Sequence, residues 1–296
     1  MLLPNLLYNA GQRLGILDLG MDLPAQTRII VLAVLCVVFS ISGFTLFVVH
    51  LRRTERRSAR VHAELELAQQ VHRTLVPPIE LSSQRVSVYG RSLPSGEMGG
   101  DLIDALAEGE KVDVYVGDVS GHGVGAGVVM ALLKGCVRTR MLRGADLVDI
   151  VVDANRVLGA LTSPGTFATF AALRVQGDGA IQYVLAGHLP ILHFRAASAD
   201  WARYPNASLP LGVDAEETFS SGSAAAGPGD VLALFTDGLL EVRDAKGVEL
   251  GLERLAQELA RHAGSPLASH HAAVMDAVRA WGAPMDDQSL ILLRVG

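Results

Sequence analysis

Four aspartates stand at the borders of apolar runs, next to glycines or to another acidic residue. On its own, each would be an ordinary turn residue, because Asp and Gly are common where a strand ends. Strand ends of one sheet can meet at a common edge, so the four carboxylates together predict a shared site. They are Asp101 after Gly99-Gly100, Asp118 before Val119-Ser120-Gly121, Asp237 before Gly238, and Asp286 before Asp287.

Carboxylates that converge repel one another, and one of them must bind a proton unless a cation lies among them. Oxygen ligands suit hard ions such as Mg²⁺ and Mn²⁺, and the sequence has no Cys/His cluster of the kind that binds zinc. Two such ions about 3.5–4 Å apart can activate a water for attack on phosphorus. The four aspartates therefore suggest metal-assisted hydrolysis of a phosphoester.

The stretches that must position these aspartates alternate in polarity and are rich in Val, Leu, Ile and Phe, as strands are. Strands joined by tight turns, with helices grouped between them, favour an α+β domain with substantial antiparallel sheet. The sequence Gln176-Gly177-Asp178-Gly179 predicts a hairpin turn, and residues 196–229 predict a loop region with little regular structure. The predicted strands are 85–90, 111–118, 167–175, 180–186, 230–236 and 289–295; the predicted helices are 124–142, 146–161, 250–262 and 268–281.

Residues 29–49 carry no charge and are long enough to cross a bilayer, which takes about 20 apolar residues in a helix. A cleavable signal peptide would have a shorter apolar region and a small-residue cleavage site. Five arginines follow the run within residues 52–60, against one glutamate. Since cytoplasmic flanks are enriched in Lys and Arg, we predict a short extracytoplasmic segment 1–28, a single transmembrane helix 29–49 in the cell membrane, and a cytoplasmic C-terminal part.

Residues 50–84 predict a basic juxtamembrane segment and a linker helix over 54–76, which Pro77 and Pro78 end. An apolar stripe at four-three spacing, made by Val61, Leu65, Ala68 and Leu75, allows two interpretations. It could form a short parallel coiled coil that joins two chains into a homodimer, or it could pack on its own catalytic domain, which we place at 85–296. The sequence leaves both open.

The overall charge limits the partners. The formal net charge is −6, which argues against nucleic acid as the main partner. There are two cysteines, and Cys36 lies inside the apolar run. A disulfide framework is therefore not expected, and a reducing compartment suits most of the chain.

From about residue 65 to the C-terminus, the sequence resembles the PPM (type 2C) family of metal-dependent protein phosphatases, in particular the bacterial SpoIIE-like branch. Any one of the matching blocks is weak, but together they follow the order found in the family. The blocks are AQQVHRTLVPP (68–78), GGD (99–101), GDVSGHG (117–123), AGH (186–188), LPLG (209–212), FTDGL (235–239) and DDQS (286–289).

The resemblance implies an α-β-β-α sandwich of two mainly antiparallel sheets and a site with two Mn²⁺ or Mg²⁺ ions. Asp118 would bridge the ions, with the Val119 carbonyl as a further ligand. Asp101 would serve one ion, and Asp237 with Asp286 the other. The implied substrates are phosphoserine or phosphothreonine proteins, often regulators that control anti-sigma factors.

Other residues of these blocks are expected to support the site without binding an ion. Asp287 is expected to orient a ligand or a water, and His188 to stabilise a turn. His122 is a candidate general acid for the leaving oxygen, with stabilisation of its glycine-rich loop as the alternative. The chain departs from the family pattern at Leu102-Ile103, where an aromatic residue is more usual, and at Leu185, where Asn is usual. Neither change removes an expected metal ligand.

Three functions are compatible with this sequence. The first is an active, membrane-anchored protein serine/threonine phosphatase, and the four retained aspartates favour it. The second is a catalytically silent membrane-tethered binding module that recruits a regulator. The third is a small-molecule phosphoesterase, because the metal chemistry does not depend on the group behind the phosphate.

Overall fold

The structure is a computed structural model that describes residues 24–96, 98–163, 165–205 and 207–296. Its internal contacts divide the chain into two units, one ending at Ala63 and the other covering Glu64–Gly296. Most of the predicted extracytoplasmic segment, residues 1–23, lies outside the described residues. The boundaries at 28, 49 and 84 stay predictions.

The first helix, α1, covers Ala25–Leu75, a length of 51 residues. It begins directly after Pro24 and ends before Pro77, where proline can no longer supply a backbone donor. Within it, Ile29–Arg52 has a mean hydropathy of 2.7 and is long and apolar enough to cross a membrane. The predicted span and the predicted linker helix are therefore parts of one helix. Inside the apolar segment, the Thr45 hydroxyl donates to the Ile41 carbonyl at 2.8 Å, so this polar group is satisfied within the helix.

In the described part of the chain, six strands form the first sheet: β1 Ile79–Ser82, β2 Val86–Leu93, β7 Ile191–Arg195, β8 Asp200–Tyr204, β10 Val231–Phe235 and β11 Gln288–Val295. Their order is β1-β2-β11-β10-β7-β8, and neighbouring strands are antiparallel.

The second sheet contains five strands among the residues that the structure describes: β3 Asp101–Glu108, β4 Lys111–Val119, β5 Ala168–Val175, β6 Ala180–Ala186 and β9 Gly222–Ala225. Their order is β3-β4-β5-β6-β9, again with antiparallel neighbours. The predicted hairpin turn joins β5 to β6, and Gly179 takes a φ of 85° there, a conformation that glycine adopts without strain.

Helices cover the outer face of each sheet. Helices α2 (Val124–Met141) and α3 (Leu147–Leu161) contact the second sheet, while α5 (Leu267–Trp281), beside α4 (Gly251–Arg261), contacts the first. Alternate residues of β10 enter two different cores: Leu232 and Leu234 pack toward the second sheet, and Val231, Ala233 and Phe235 pack with α4 and α5. This period of two is what a strand buried on both faces requires. The predicted α-β-β-α sandwich is confirmed.

The prediction of a loop over residues 196–229 is wrong in part, because β8 and β9 lie within it. Strands β1, β3 and β7 were also not predicted. The strands β1, β8 and β9 are only four or five residues long and lie at sheet edges, where exposed polar residues interrupt the apolar alternation. In β3, Asp101 and Asp104 interrupt the run of apolar residues that would have marked a strand.

Candidate metal centre and active site

Two of the predicted site residues face each other across the second sheet. Asp101 begins β3 and pairs with Asp118 of β4 in the antiparallel register. Gly100 makes this approach possible, because a Cβ atom there would lie 2.8 Å from the Val119 carbonyl oxygen. The backbone carbonyl predicted as a ligand therefore lies against the residue that precedes Asp101.

The other two predicted ligands come from the first sheet. Asp237 starts a 3₁₀ helix, Asp237–Leu239, that follows β10, and Asp286 lies just before β11. Gly238 packs directly on the backbone between them, since a Cβ atom there would collide with the Asp287 carbonyl. The Gln288 side-chain amide donates to the Gly238 carbonyl at 3.0 Å. These contacts hold the two aspartate-bearing segments together.

The electrostatics show that the aspartates influence one another. Burial, followed by the charges of Asp237 and Asp286, raises the pKa of Asp118 to about 7. Asp101 is only 1 % exposed, and burial together with the charge of Asp118 raises its pKa well above the usual value. The pKa of Asp237 is raised by burial and by Asp286. None of the ion pairs found among the described residues involves these four carboxylates.

Two hydroxyl groups that the sequence analysis did not single out fix Asp101. Thr236 and Ser289 donate to Asp101 Oδ2 at 2.8 and 2.6 Å. The Thr236 hydroxyl also accepts from the Ser289 backbone N–H at 3.1 Å. Both residues lie in blocks that carried the family resemblance, Thr236 next to Asp237 and Ser289 two residues after Asp287, and that position was the only available signal of their role.

Asp287 binds the chain segment that leads into Asp101. Its Oδ1 accepts from the backbone N–H and the hydroxyl of Ser95, at 2.7 and 3.0 Å. Its Oδ2 accepts from the Gly100 N–H at 2.7 Å, and Gly99 leaves room for the carboxylate, which a Cβ atom would hit. The sequence predicted that Asp287 orients a ligand or a water; in the structure, its carboxylate orients backbone.

A cleft of about 450 Å³ opens beside Asp286. It is lined by Ser95, Gly96, Met98, Gly121, His122, Gly123, Met285 and Asp286. His122 is exposed on its wall, so its ring can be reached by a molecule that enters the cleft. Its role as a general acid stays a prediction.

His188 contacts Thr169, the residue of β5 that pairs with Asp118. The ring is buried, and its Nδ1 is 2.8 Å from the Thr169 hydroxyl. Burial lowers its pKa to about 4, so the ring is neutral at physiological pH. These contacts agree with a structural role.

The donor set fits hard divalent cations. It consists of carboxylates and a backbone carbonyl, which are the ligands that Mg²⁺ and Mn²⁺ prefer. Burial and then mutual repulsion raise the pKa values of Asp101 and Asp118, and a cation would relieve both effects. Among the described residues, however, no group of three or more His, Cys, Asp or Glu side chains is already arranged to hold an ion. The aspartates are neighbours, but they do not form a closed ligand shell.

Residues 108–296 match the family model described as Stage II sporulation protein E (SpoIIE). That match covers more than half of the chain, and the protein belongs to the SpoIIE family.

A curated relative and two solved structures are similar to this chain. Phosphoserine phosphatase RsbU of Bacillus subtilis is 23% identical over 188 residues, covering 63% of this chain and 56% of RsbU. The chain thus spans just over half of that relative. The SiaA-PP2C domain of Pseudomonas aeruginosa has a TM-score of 0.70 at 17% identity, covering 80% of this chain and 98% of that one. The RsbU and RsbW domains of Rv1364c from Mycobacterium tuberculosis give 0.65 at 27% identity, covering 74% and 62%. The fold of the Glu64–Gly296 unit is that of PP2C phosphatase domains.

Proposed function

We propose that the chain is a metal-dependent protein serine/threonine phosphatase that acts on a phosphorylated regulatory protein. One observation supports the proposal most strongly: Asp101, Asp118 and Asp237 come from two sheets, and burial together with the charges of neighbouring aspartates, Asp286 among them, raises the pKa of each. A binding module would gain nothing from this repulsion. Membership of the SpoIIE family and similarity to a phosphoserine phosphatase support the same activity.

In this proposal, the four aspartates and the Val119 carbonyl would hold two Mn²⁺ or Mg²⁺ ions, and Asp118 would be a ligand of both. When bound, such ions lower the pKa of a coordinated water and neutralise charge on the phosphoryl group. The choice between the two metals and the number of ions are part of the proposal.

Other residues of the chain hold the expected metal ligands in position. Thr236 and Ser289 hold one carboxylate oxygen of Asp101 and leave the other free to act as a ligand. Asp287 fixes the backbone from Ser95 to Gly100. His122 lines the cleft, where it can donate a proton to the leaving serine or threonine oxygen; this assignment belongs to the proposal.

We further propose that α1 anchors the protein in the cell membrane through Ile29–Arg52, with the phosphatase unit in the cytoplasm. None of the most apolar window of this segment is buried by protein, unlike the core helix of a soluble domain. The helix continues past the apolar segment to Leu75, and the arginines after the span favour a cytoplasmic location of that side. The partner would be a serine-phosphorylated regulator such as an anti-sigma factor antagonist. Homodimerisation through residues 54–76 stays open.

The test is phosphate release from a phosphoserine protein by the 296-residue chain in detergent micelles, with Mn²⁺, Mg²⁺ or a chelator. We expect metal-dependent release that falls about a thousandfold or more in Asp118→Asn, because a neutral amide cannot replace a bridging carboxylate. Asp178→Asn, in the exposed turn between β5 and β6, is the matched control and should be fully active.

The other outcomes would contradict this mechanism or favour one of the two alternative functions. Release that survives the chelator or the Asp118→Asn change contradicts the mechanism. Release from p-nitrophenyl phosphate but from no phosphoprotein favours the small-molecule phosphoesterase. No release from a chain with a native circular dichroism spectrum favours the binding module.

A further inference from the structure

Between Val124 and Leu132, the outward face of α2 carries no charged residue. Three aliphatic side chains recur there at a spacing of four residues: Val124, Val128 and Leu132 are 54%, 53% and 40% exposed. We call these three residues the α2 stripe. The other exposed positions of the helix are Gly125, Gly135 and Thr139, so nothing polar enough to keep this face in water lies between them.

The other surface helices differ. Helix α4 exposes Glu253, Arg254, Gln257 and Arg261, the usual pattern for a helix with one face in water. Helix α3, directly beside α2, exposes Asp149 and Arg156. Single exposed apolar residues are normal, but a contiguous set on successive turns marks a surface that contacts something.

The α2 stripe starts at the cleft. Gly121, His122 and Gly123 line the cleft, and Val124 is the next residue. Met285, another residue that lines the cleft, is 69% exposed. Exposed apolar side chains therefore lie in and beside an opening that Asp286 also lines.

We propose that the α2 stripe is a docking surface for the folded phosphoprotein substrate, which rests on the phosphatase function proposed above. The stripe extends over nine residues of helix, from Val124 to Leu132, or about 12 Å along the axis. A protein partner covers about 800 Å² of each surface, a patch roughly 16 Å in radius. A folded protein that places its phosphoserine in the cleft must therefore also cover the stripe, whereas a small phosphate ester does not reach it.

The chemistry of the stripe complements that of the cleft. Charged residues are depleted at the centre of protein interfaces, and apolar and Met side chains are favoured there. A phosphoprotein that approaches the acidic cleft gains no attraction from the carboxylates themselves. Apolar contact along α2 supplies affinity that does not depend on the phosphate, so the surface selects a partner with an apolar patch beside its phosphoserine.

The test compares the 296-residue chain with the double variant Val128→Gln/Leu132→Gln, in detergent micelles with Mn²⁺. Glutamine is a good helix former without charge, so the change removes apolar surface and alters neither the helix nor the field at the cleft. The matched control is Leu142→Gln, just beyond the far end of the same helix, where Leu142 is 66% exposed. The two substrates are a serine-phosphorylated anti-sigma factor antagonist and p-nitrophenyl phosphate.

We expect KM for the phosphoprotein to rise at least tenfold in the double variant, with kcat unchanged, because only binding of the substrate is affected. Hydrolysis of p-nitrophenyl phosphate should be unchanged, and Leu142→Gln should match wild type on both substrates. Unchanged kinetics on the phosphoprotein, or equal losses on both substrates, overturn the docking surface.

Unchanged kinetics of the double variant, on a phosphoprotein that wild type hydrolyses, would overturn the docking surface and leave the proposed function standing. Three further outcomes have other meanings. If wild type hydrolyses p-nitrophenyl phosphate but not the phosphoprotein, the protein phosphatase activity and the docking surface both fail, while the metal chemistry stands. If wild type hydrolyses neither, the proposed function fails, and the docking surface fails with it. If the double variant changes the sedimentation coefficient of the chain in the absence of substrate, the stripe is an interface with a second copy, and the proposal is overturned.

Discussion

Two sets of buried carboxylates in this protein have opposite surroundings: one is paired with a cation or with hydrogen-bond donors, and the other lies among like charges. In the interior of the second sheet, Asp113 is 1% exposed and receives two hydrogen bonds from Arg174, at 2.7 and 2.8 Å. At the edge of the same sheet, Asp101 and Asp118 face each other with no ion pair among the described residues. Asp113 and Asp118 even share one strand, β4, and their spacing of five residues places them on opposite faces.

A second interior carboxylate, Asp230, is held by hydrogen bonds as Asp113 is. Asp230 accepts from His193 Nε2 at 2.9 Å and from the backbone N–H groups of Gly227 and Ala196, each at 2.8 Å. Burial alone would raise the pKa of Asp230, but these hydrogen bonds lower it below its usual value. The chain thus stabilises the charge of these interior carboxylates with hydrogen bonds. The mutual repulsion of Asp101, Asp118 and Asp237 is therefore a property of the candidate metal site and not of the fold in general.

The largest effect on stability is expected from breaking the interior pair. Arg174→Met leaves Asp113 buried without a cation and should lower the free energy of unfolding by about 3–5 kcal/mol. Urea denaturation followed by tryptophan fluorescence measures this, because Trp201 and Trp281 both lie in the Glu64–Gly296 unit.

Two controls sharpen that comparison. Arg156→Met breaks an exposed pair with Asp153, in which the arginine is 69% exposed, and should cost less than about 1 kcal/mol. Asp118→Asn removes repulsion and should not lower the stability at all. Equal losses in the free energy of unfolding from Arg174→Met and Asp118→Asn would show that the fold depends on both sets of carboxylates in the same way.

A smaller effect is expected from acid, through histidines that are buried in their neutral form. Burial first, with Arg91 and Arg279 nearby, lowers the pKa of His271 to about 4, and burial does the same for His270. Between pH 6.5 and 4 the unfolded chain binds more protons than the folded one. The stability from these residues is therefore complete above pH 6.5 and is lost as the pH falls toward 4, by about 1–3 kcal/mol per histidine.

Asp101, Asp118 and Asp237, whose pKa values are raised, act in the opposite direction, since acids with raised pKa values stabilise a fold as the pH falls. The measurement is therefore the difference between wild type and His271→Phe, by urea denaturation from pH 7.5 to 4. Phenylalanine keeps the edge contact with Tyr89, whose ring centroid lies 5.2 Å from that of His271, and cannot bind a proton. The variant should lose less stability in acid than wild type; identical slopes would assign the acid response to other groups.

The sequence predicted the four helices of the Glu64–Gly296 unit after α1 to within one residue at each end. It also predicted four aspartates whose mutual influence the structure shows. It could not predict the partners of Asp287, since Ser95 and Gly100 lie 192 and 187 residues away along the chain. The roles of Thr236 and Ser289 depend on how β10 and β11 pair, which no local pattern encodes. The stripe on α2 was likewise invisible, because only burial shows which of its apolar residues face water.

The smallest of these effects concerns Asp287, whose carboxylate lies beside the candidate metal site and accepts three hydrogen bonds. Asp287→Asn keeps an oxygen for Ser95 but places an N–H₂ donor against the Gly100 N–H, so one clamp of the segment before Asp101 is lost. We expect the Mn²⁺ concentration for half-maximal activity to rise about tenfold, or roughly 1.4 kcal/mol of metal binding. Because Asp287 positions the ligand loop without touching substrate, kcat should recover at saturating Mn²⁺, and Asp178→Asn should change neither quantity. A loss of kcat that Mn²⁺ does not restore would place Asp287 among the groups that act on the substrate. Asp287 would then differ from Asp113 and Asp230, whose hydrogen bonds serve the fold.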